Sequence, residues 1–326
     1  MVICVIGCTG YLGSKISSQL HMQGHKVIGV CRKFPKRNKK FKSKFFKIIE
    51  GDITNEKFQN INFKIFFTSI VYTISLNHKI SEKNLSNSIK INYIPLLNIC
   101  NIISRNNLKI KLIYFSTMQV YGRYEESFRV VFEKDETHLI NNYALTHALC
   151  EDTLRLLNSK LFQSTSVRLS HSYGYPQIRT CNCWWLVLND FCKSAMLHRI
   201  ISIKSDGSPQ RDFMHIDDVS ESIGNLVEYK AKLPFEINFA SGQTHNILEL
   251  ALLVKQACKE HFNKNVEIII KGKKISNSNL NRKIKKLSKV KKFIISNSNL
   301  KKLKSTNFIS PKKGIYLTLK KIKEMS

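Results

Sequence analysis

Val2-Ile3-Cys4-Val5-Ile6 followed by Gly7-Cys8-Thr9-Gly10-Tyr11-Leu12-Gly13 reads as a strand entering a glycine turn, and Leu12 to Met22 then reads as a helix. Gly24 closes that helix, and Lys26 to Cys31 reads as the next strand. At such a turn the backbone N–H groups and the positive end of the helix can cradle a pyrophosphate. The first glycine permits the turn, the second lets backbone approach a phosphate, and the third lets helix pack against strand. Gly7, Gly10 and Gly13, with the intervening Tyr11 and Leu12, are therefore candidate cofactor-binding residues. A glycine triplet alone is a weak signal; its place between a strand and a helix makes it a nucleotide-binding one.

Outward from this unit, the alternation continues. Ile65 to Ser75 reads as a strand, Ser88 to Arg105 as a helix and Lys111 to Phe115 as an apolar strand, which implies an α/β fold with a parallel, doubly wound sheet. Residues 141–158 carry Ala144, Ala148, Leu154 and Leu157 without proline or glycine and read as a helix, before a strand from Thr165 to Leu169. Beyond Tyr173-Gly174-Tyr175-Pro176 the pattern is irregular. Short strands near 200–203 and 236–239 flank a helix from Asp217 to Tyr229, and we read a smaller lobe laid over the sheet. Asn246 with Glu249 three residues on marks a helix start, continued through Phe262. The division expected is 1–175 for the dinucleotide-binding domain, 176–260 for an interleaved substrate lobe, and 261–326 for a basic segment completing it. ISNSNL occurs at 275–280 and again at 295–300, a local duplication in a tail read as low in complexity and partly flexible.

The chain has 326 residues, 43% of them hydrophobic and 23% charged, so it can bury a large core. No apolar run approaches the ~20 residues that cross a bilayer. The start of the chain has no basic, cleavable leader pattern, so the expected location is the cytoplasm. Nine scattered cysteines fit reduced, buried thiols, and Cys181-x-Cys183 lacks zinc-ligand spacing, so no metal is expected. The formal net charge is +30, concentrated in 32–49 and 271–304, which contain no acid. Such a field favours polyanions. Lysine dominates these runs, however, and aromatic residues are scarce in the second, which favours compositional drift over a nucleic-acid reader.

Where NAD-selective folds place an acid for the ribose 2′-hydroxyl, this chain has Cys31, Arg32 and Lys33. Arg32 can clamp a 2′-phosphate, which tilts the cofactor from NAD slightly toward NADP, although it can equally be the solvated start of the basic segment.

Glu50-Gly51-Asp52-Ile53, Phe115-Ser116-Thr117-Met118-Gln119-Val120-Tyr121-Gly122, Tyr143 and Arg211-Asp212-Phe213-Met214-His215-Ile216-Asp217-Asp218-Val219 stand in order behind the glycine turn. Together they resemble an extended short-chain dehydrogenase/reductase with a Rossmann-like sheet, and more narrowly the NAD-dependent epimerase/dehydratase family that remodels nucleotide sugars, often for polysaccharide biosynthesis. The resemblance implies that Asp52 and Ile53 contact adenine and that Asn92 lies beside the nicotinamide ribose. It implies Thr117, Tyr143 and His147 as catalytic residues, with His147 holding the cofactor ribose and tuning Tyr143. Gln119, His171, Arg179 and Arg211 become substrate-binding candidates, and Trp184 and Trp185 either line a pocket or fill core. Pairing of two copies through the helices near 93–105 and 143–157 is also implied.

Three departures limit that carry-over. Met118 and Gln119 replace the Asp and Glu that dehydratases of the family use, so elimination of water is disfavoured. His147 replaces the lysine four residues after the tyrosine; it shares a helix face with Tyr143, but imidazole titrates near ~6.5 and is readily neutral. His171 replaces an asparagine. The expected activity is NAD(P)-dependent hydride transfer at a ring carbon of a nucleotide-activated sugar, as an epimerase or reductase, with Tyr143 moving the proton. The alternatives are a catalytically impaired NAD(P)- or nucleotide-sugar-binding module, or a nucleic-acid-binding protein on the same fold.

Overall fold

The computed structural model describes residues 1–35, 46–58, 67–124, 129–159, 162–303 and 308–325. Seven strands form its central sheet: β1 (Val2–Ile6), β2 (Lys26–Cys31), β3 (Phe46–Glu50), β4 (Ser69–Tyr72), β5 (Ile110–Thr117), β6 (Phe162–Leu169) and β7 (Glu236–Phe239). Their order is β7-β6-β5-β4-β1-β2-β3, and every pair is parallel. The chain winds one way from β1 and then restarts on its other side at β4. The crevice at the carboxyl ends of β1 and β4 is thus the switch point at which such sheets bind ligands.

The helices that matter here are α1 (Tyr11–Met22), α2 (Ile94–Arg105), α3 (Asn142–Leu157), α4 (Val187–His198), α5 (Ile216–Glu228), α6 (Ile247–Phe262) and α7 (Pro311–Met325). Successive strand residues point to opposite faces, so a sheet covered on both sides needs apolar residues at nearly every position. β1 shows this: Ile3 and Val5 join Ile16, Leu20, Val219 and Ile223 under α1 and α5. Cys4 and Ile6 join Leu96, Ile99, Cys150 and Leu154 under α2 and α3. Eight of the nine cysteines are buried and all are free thiols.

The second core packs α4, α6 and α7 around Leu188, Phe191, Val254, Ile315 and Leu319. The cap of α6 forms as expected: the Asn246 side chain accepts from Glu249 N, and Glu249 Oε2 accepts from Asn246 N at 3.0 Å.

Several sequence expectations change. The strand read over 65–75 is regular only at Ser69–Tyr72, and residues 65 and 66 lie outside the described residues. The helix read over 88–105 is preceded by a short turn at Leu85–Ser88 and a π-helical turn at Ile89–Tyr93, and runs regularly as α2. The strand at 236–239, assigned to the lobe, instead pairs with β6 as the edge of the central sheet. α5 packs on α1. Both belong to the sheet because their apolar faces match its surface, a pairing invisible to local pattern. The duplicated ISNSNL is no loose tail: each copy opens a helix, Asn277–Leu287 and Ser298–Leu303, and buries its leucine, Leu280 or Leu300. Residues 36–45 of the first basic run lie outside the described residues.

Candidate active site

The glycine turn leaves β1 at the switch point. Gly7 adopts φ +88°, a left-handed conformation that favours glycine, and donates its N–H to Val30 O at 2.9 Å. Gly13 is required for contact: a Cβ there would lie 2.2 Å from Gly7 O. Gly10 caps α1 without any side-chain hydrogen bond, and no acid occupies the first helical turn. The helix therefore presents amides and positive potential toward the crevice with no negative group of its own against them. Tyr11 faces away: its hydroxyl donates to Gly174 O at 3.0 Å and receives Asn189 Nδ2 at 3.4 Å, tying the turn to the chain before α4. Only its amide remains for a phosphate.

At the end of β2, Cys31 is buried beside Cys8 of the turn, with which it shares a thiol hydrogen bond, while Arg32 is exposed. Asp52 is exposed, and its Oδ1 accepts from both Thr54 N and Thr54 Oγ1 at 2.9 Å. Those two bonds and the nearby Arg32 hold its carboxyl below the usual range. Ile53 is buried.

The second half of the site hangs from the loop after β4. Thr73 Oγ1 donates to Ile6 O at 2.7 Å and is the atom that a Cβ on Gly7 would strike at 2.6 Å, so this loop begins against the glycine turn. Two residues on, Ser75 Oγ donates to Leu76 O at 2.9 Å and meets His147 Nε2 at 3.1 Å. His147 is 1% exposed, and its Nδ1 lies 2.6 Å from the hydroxyl of Tyr114 on β5. With the Ser75 proton on Leu76 O, the tautomer that fits has Nε2–H donating to Ser75 and a bare Nδ1 accepting from Tyr114. Burial pushes the imidazole down to about 3, which makes it neutral at physiological pH. Both ring nitrogens are thus engaged inside the protein. The expected reach of His147 to a cofactor ribose finds no free nitrogen.

Tyr143 is half-buried one helical turn before His147, with ring centroids 4.4 Å apart. Burial pushes its phenol up to about 12, against the pull of the Ser75 and Thr117 hydroxyls that it faces. Thr117 ends β5, buried, its Oγ1 accepting from Gln119 N at 3.2 Å. Gln119 Oε1 accepts from Asn141 Nδ2 at 3.1 Å, while Asn141 caps α3 through Ala144 N. That contact fixes the start of the helix carrying Tyr143. Asn92 is buried in the π-helical turn; it accepts from Leu76 N at 2.7 Å and donates to Thr146 Oγ1 at 3.0 Å. It clasps the loop to α3.

His171 and Arg211 fall together, since strand His171–Tyr173 pairs with strand Gln210–His215. Burial, reinforced by Arg211, pushes His171 down to about 3, and its Nδ1 has no hydrogen-bond partner among the described residues. Arg179 is drawn elsewhere, donating from Nη2 to Met325 O at the end of α7 at 2.6 Å. Trp184 packs on Tyr175 and Lys193, whereas Trp185 is 50% exposed and is not core. The sequence reading missed Ser75 and Tyr114. Ser75 was absorbed into a strand and Tyr114 into an apolar run, and only the parallel register of β4 and β5 brings them to His147.

No helix among the described residues is long and apolar enough to cross a membrane. A model of the NAD dependent epimerase/dehydratase family matches residues 3–238. UDP-glucuronic acid decarboxylase 1 of Danio rerio is 23% identical over 266 residues, covering 78% of this chain and 60% of that protein. Protein CapI of Staphylococcus aureus is 27% identical over 243 residues, covering 71% and 70%. The chain spans about 60% of the length of the first of these relatives. Among solved structures, UDP-glucose 4-epimerase of Thermotoga maritima, determined with UDP-glucose, superposes with a TM-score of 0.80 at 20% identity, covering 100% of this chain and 99% of that one. UDP-glucuronic acid 4-epimerase of Bacillus cereus, determined with UDP-glucuronic acid and NAD, gives 0.77 at 19% identity and covers 100% of both.

Proposed function

The chain belongs to the NAD dependent epimerase/dehydratase family, and from that premise we propose that it exchanges a hydride with a ring carbon of a UDP-activated sugar, as an epimerase or reductase. The observation that carries this reading is the convergence of the Thr117, Tyr143 and Ser75 hydroxyls on a loop that begins against the glycine turn. The residues fit a dinucleotide. Amides of Tyr11, Leu12 and Gly13 would hold the pyrophosphate, since the Gly10 N–H already donates to Gly7 O at 2.8 Å, with Asp52, Ile53 and Arg32 toward the adenosine. An exposed Arg32 and the lack of an acid in β2 favour NADP over NAD. When bound, the nicotinamide supplies the hydride acceptor and donor.

The protein supplies the proton chemistry and the orientation. Thr117 donates a hydrogen bond to the reacting sugar oxygen and fixes it beside Tyr143. Tyr143 gives its proton to a keto oxygen or takes one from a hydroxyl. A neutral His147 offers no positive charge to a phenolate, so giving is the easier direction, and the reductive half-reaction is favoured. Thr117, Tyr143 and Ser75 offer no carboxyl pair for elimination, and Met118 is buried beside Gln119, which disfavours dehydration. Arg211 and His171, on paired strands, are our candidates for the sugar-nucleotide side, and Asn92 serves by holding the loop.

Exposed Ile94 on α2 with Leu145 and Leu156 on α3, the last 86% exposed, supports pairing of two copies through these helices. The test of function is to incubate the chain with NAD or NADP and UDP-glucose or UDP-glucuronic acid, and to follow the sugar ring by proton NMR. A changed ring configuration or a consumed reduced cofactor supports the reading. Binding of cofactor with no conversion of any UDP-, dTDP-, GDP- or CDP-sugar supports the binding-module alternative instead.

A further inference from the structure

The tyrosine assigned to proton transfer has, in place of a charged partner, a run of neutral groups whose protons can all be placed. The Tyr114 hydroxyl lies 2.6 Å from His147 Nδ1, His147 Nε2 lies 3.1 Å from Ser75 Oγ, and Ser75 O–H donates to Leu76 O at 2.9 Å, an arrangement that fits Tyr114 donating to Nδ1 and an Nε2–H donating to Ser75. Every member is polarised in one direction, and the last can rotate. We propose that Ser75 is a positioning residue for Tyr143: when the phenol loses its proton, the Ser75 hydroxyl turns from Leu76 O to the phenolate oxygen, and His147 and Tyr114 reinforce that bond from behind.

This inference rests on the assignment of Tyr143 as the acid/base and deepens it. His147 does not act on Tyr143 through charge, since it is buried and neutral. Nor does it act as a proton donor to the end of the chain, because burial holds the Tyr114 phenol far above its ordinary range and Tyr114 keeps its proton. What passes along the chain is polarisation. A hydrogen bond to an ionised group is stronger than one to a neutral group, and a donor that is itself hydrogen-bonded is stronger again. The other titratable groups facing Tyr143 among the described residues are His78, whose ring is edge-on at 6.2 Å, and Glu82, whose Oε1 accepts from Tyr143 N at 3.3 Å. They approach from the segment after the Ser75 loop, and the hydroxyls that the phenol itself faces are those of Ser75 and Thr117.

The experiment uses the full chain with Tyr143 replaced by 3,5-difluorotyrosine, whose phenol ionises several units lower, and reads its fluorine shift against pH. Ser75→Ala is expected to raise the ionisation midpoint by about one to two units, the loss of one hydrogen bond to a charged group. Ser75→Thr, which keeps the hydroxyl, is expected to restore most of the shift. An unmoved midpoint in Ser75→Ala, or a Ser75→Thr shift as large as that of Ser75→Ala, overturns the proposal. Nitrogen-15 spectra of the unsubstituted chain give a second reading at neutral pH: an Nε2–H tautomer of His147 supports it, and an Nδ1–H tautomer or an imidazolium overturns it. Neither measurement needs a substrate. Failure to convert any sugar nucleotide counts against the functional assignment, while these shifts judge Ser75 alone.

Discussion

Replacing His147 by glutamine should flatten the acid side of the stability curve. The native imidazole titrates near 3 because burial disfavours its charged form, whereas an unfolded histidine titrates near ~6.5. Between those values the unfolded chain binds a proton that the native chain refuses, so stability falls as pH falls. The contribution is fully present above ~6.5 and is lost at a limiting slope of ~1.36 kcal/mol per pH unit, which amounts to about 1.4 kcal/mol at pH 5.5 and about 2.7 kcal/mol at pH 4.5. Carboxylates such as Glu249, held down at about 2, lose their contribution only below the ordinary carboxylate range and leave this window to the histidines. His171 adds its own slope, and it cancels when the two proteins are compared. Urea titrations at pH 7.0, 5.5 and 4.5 should therefore show the unsubstituted chain losing about 2.7 kcal/mol more than His147→Gln across the range. The lower absolute stability of the variant does not matter, because the slope is what is read. Parallel curves would refute the reasoning, since they would mean that His147 is charged in the native protein or exposed to solvent.

Three further outcomes follow from the geometry. Gly13→Ala places a methyl 2.2 Å from Gly7 O, so it should cost about 1–3 kcal/mol by denaturation and weaken dinucleotide binding at least about tenfold in a fluorescence titration. Glu151→Ala strips three carboxylate hydrogen bonds from buried Arg168, at 3.1 and 3.2 Å from Nε and 2.6 Å from Nη2, leaves Glu236 at 3.7 Å as its one carboxylate among the described residues, and should lower stability by about 3–5 kcal/mol in urea while leaving the glycine turn intact. Tyr143→Phe should leave dinucleotide affinity unchanged and reduce turnover of any sugar nucleotide by about 10²–10⁴, measured by single-turnover absorbance of the nicotinamide.

The parts of this protein legible in sequence are those whose physics is local. The glycine turn could be read because a φ of +88° at Gly7 and the Gly13 contact leave few other residues acceptable. Tyr143 and His147 could be paired because residues four apart share a helix face. Asn246 with Glu249 could be read because a capping box is completed within four residues. What stayed hidden depends on partners distant in the chain. Glu236–Phe239 is a strand of the main sheet only because β6 lies ready beside it. Ser75 is a small polar residue in an apolar run, and nothing nearby says that an imidazole 72 positions later will bond to it. Arg179, expected near substrate, is captured by a carbonyl 146 positions away. The neutrality of His147 could be anticipated from its intrinsic titration, but its engagement at both nitrogens could not.

The central claim is that the backbone after β1 holds a nicotinamide dinucleotide next to the hydroxyls of Thr117 and Tyr143. The most direct test is to soak crystals of the full chain with NAD or NADP, and to titrate the same protein by calorimetry. One dinucleotide per chain, with its pyrophosphate on the amides of Tyr11 to Gly13 and its nicotinamide beside Tyr143, is the predicted result. Absence of binding by either form, or a dinucleotide seated away from the glycine turn, would contradict it.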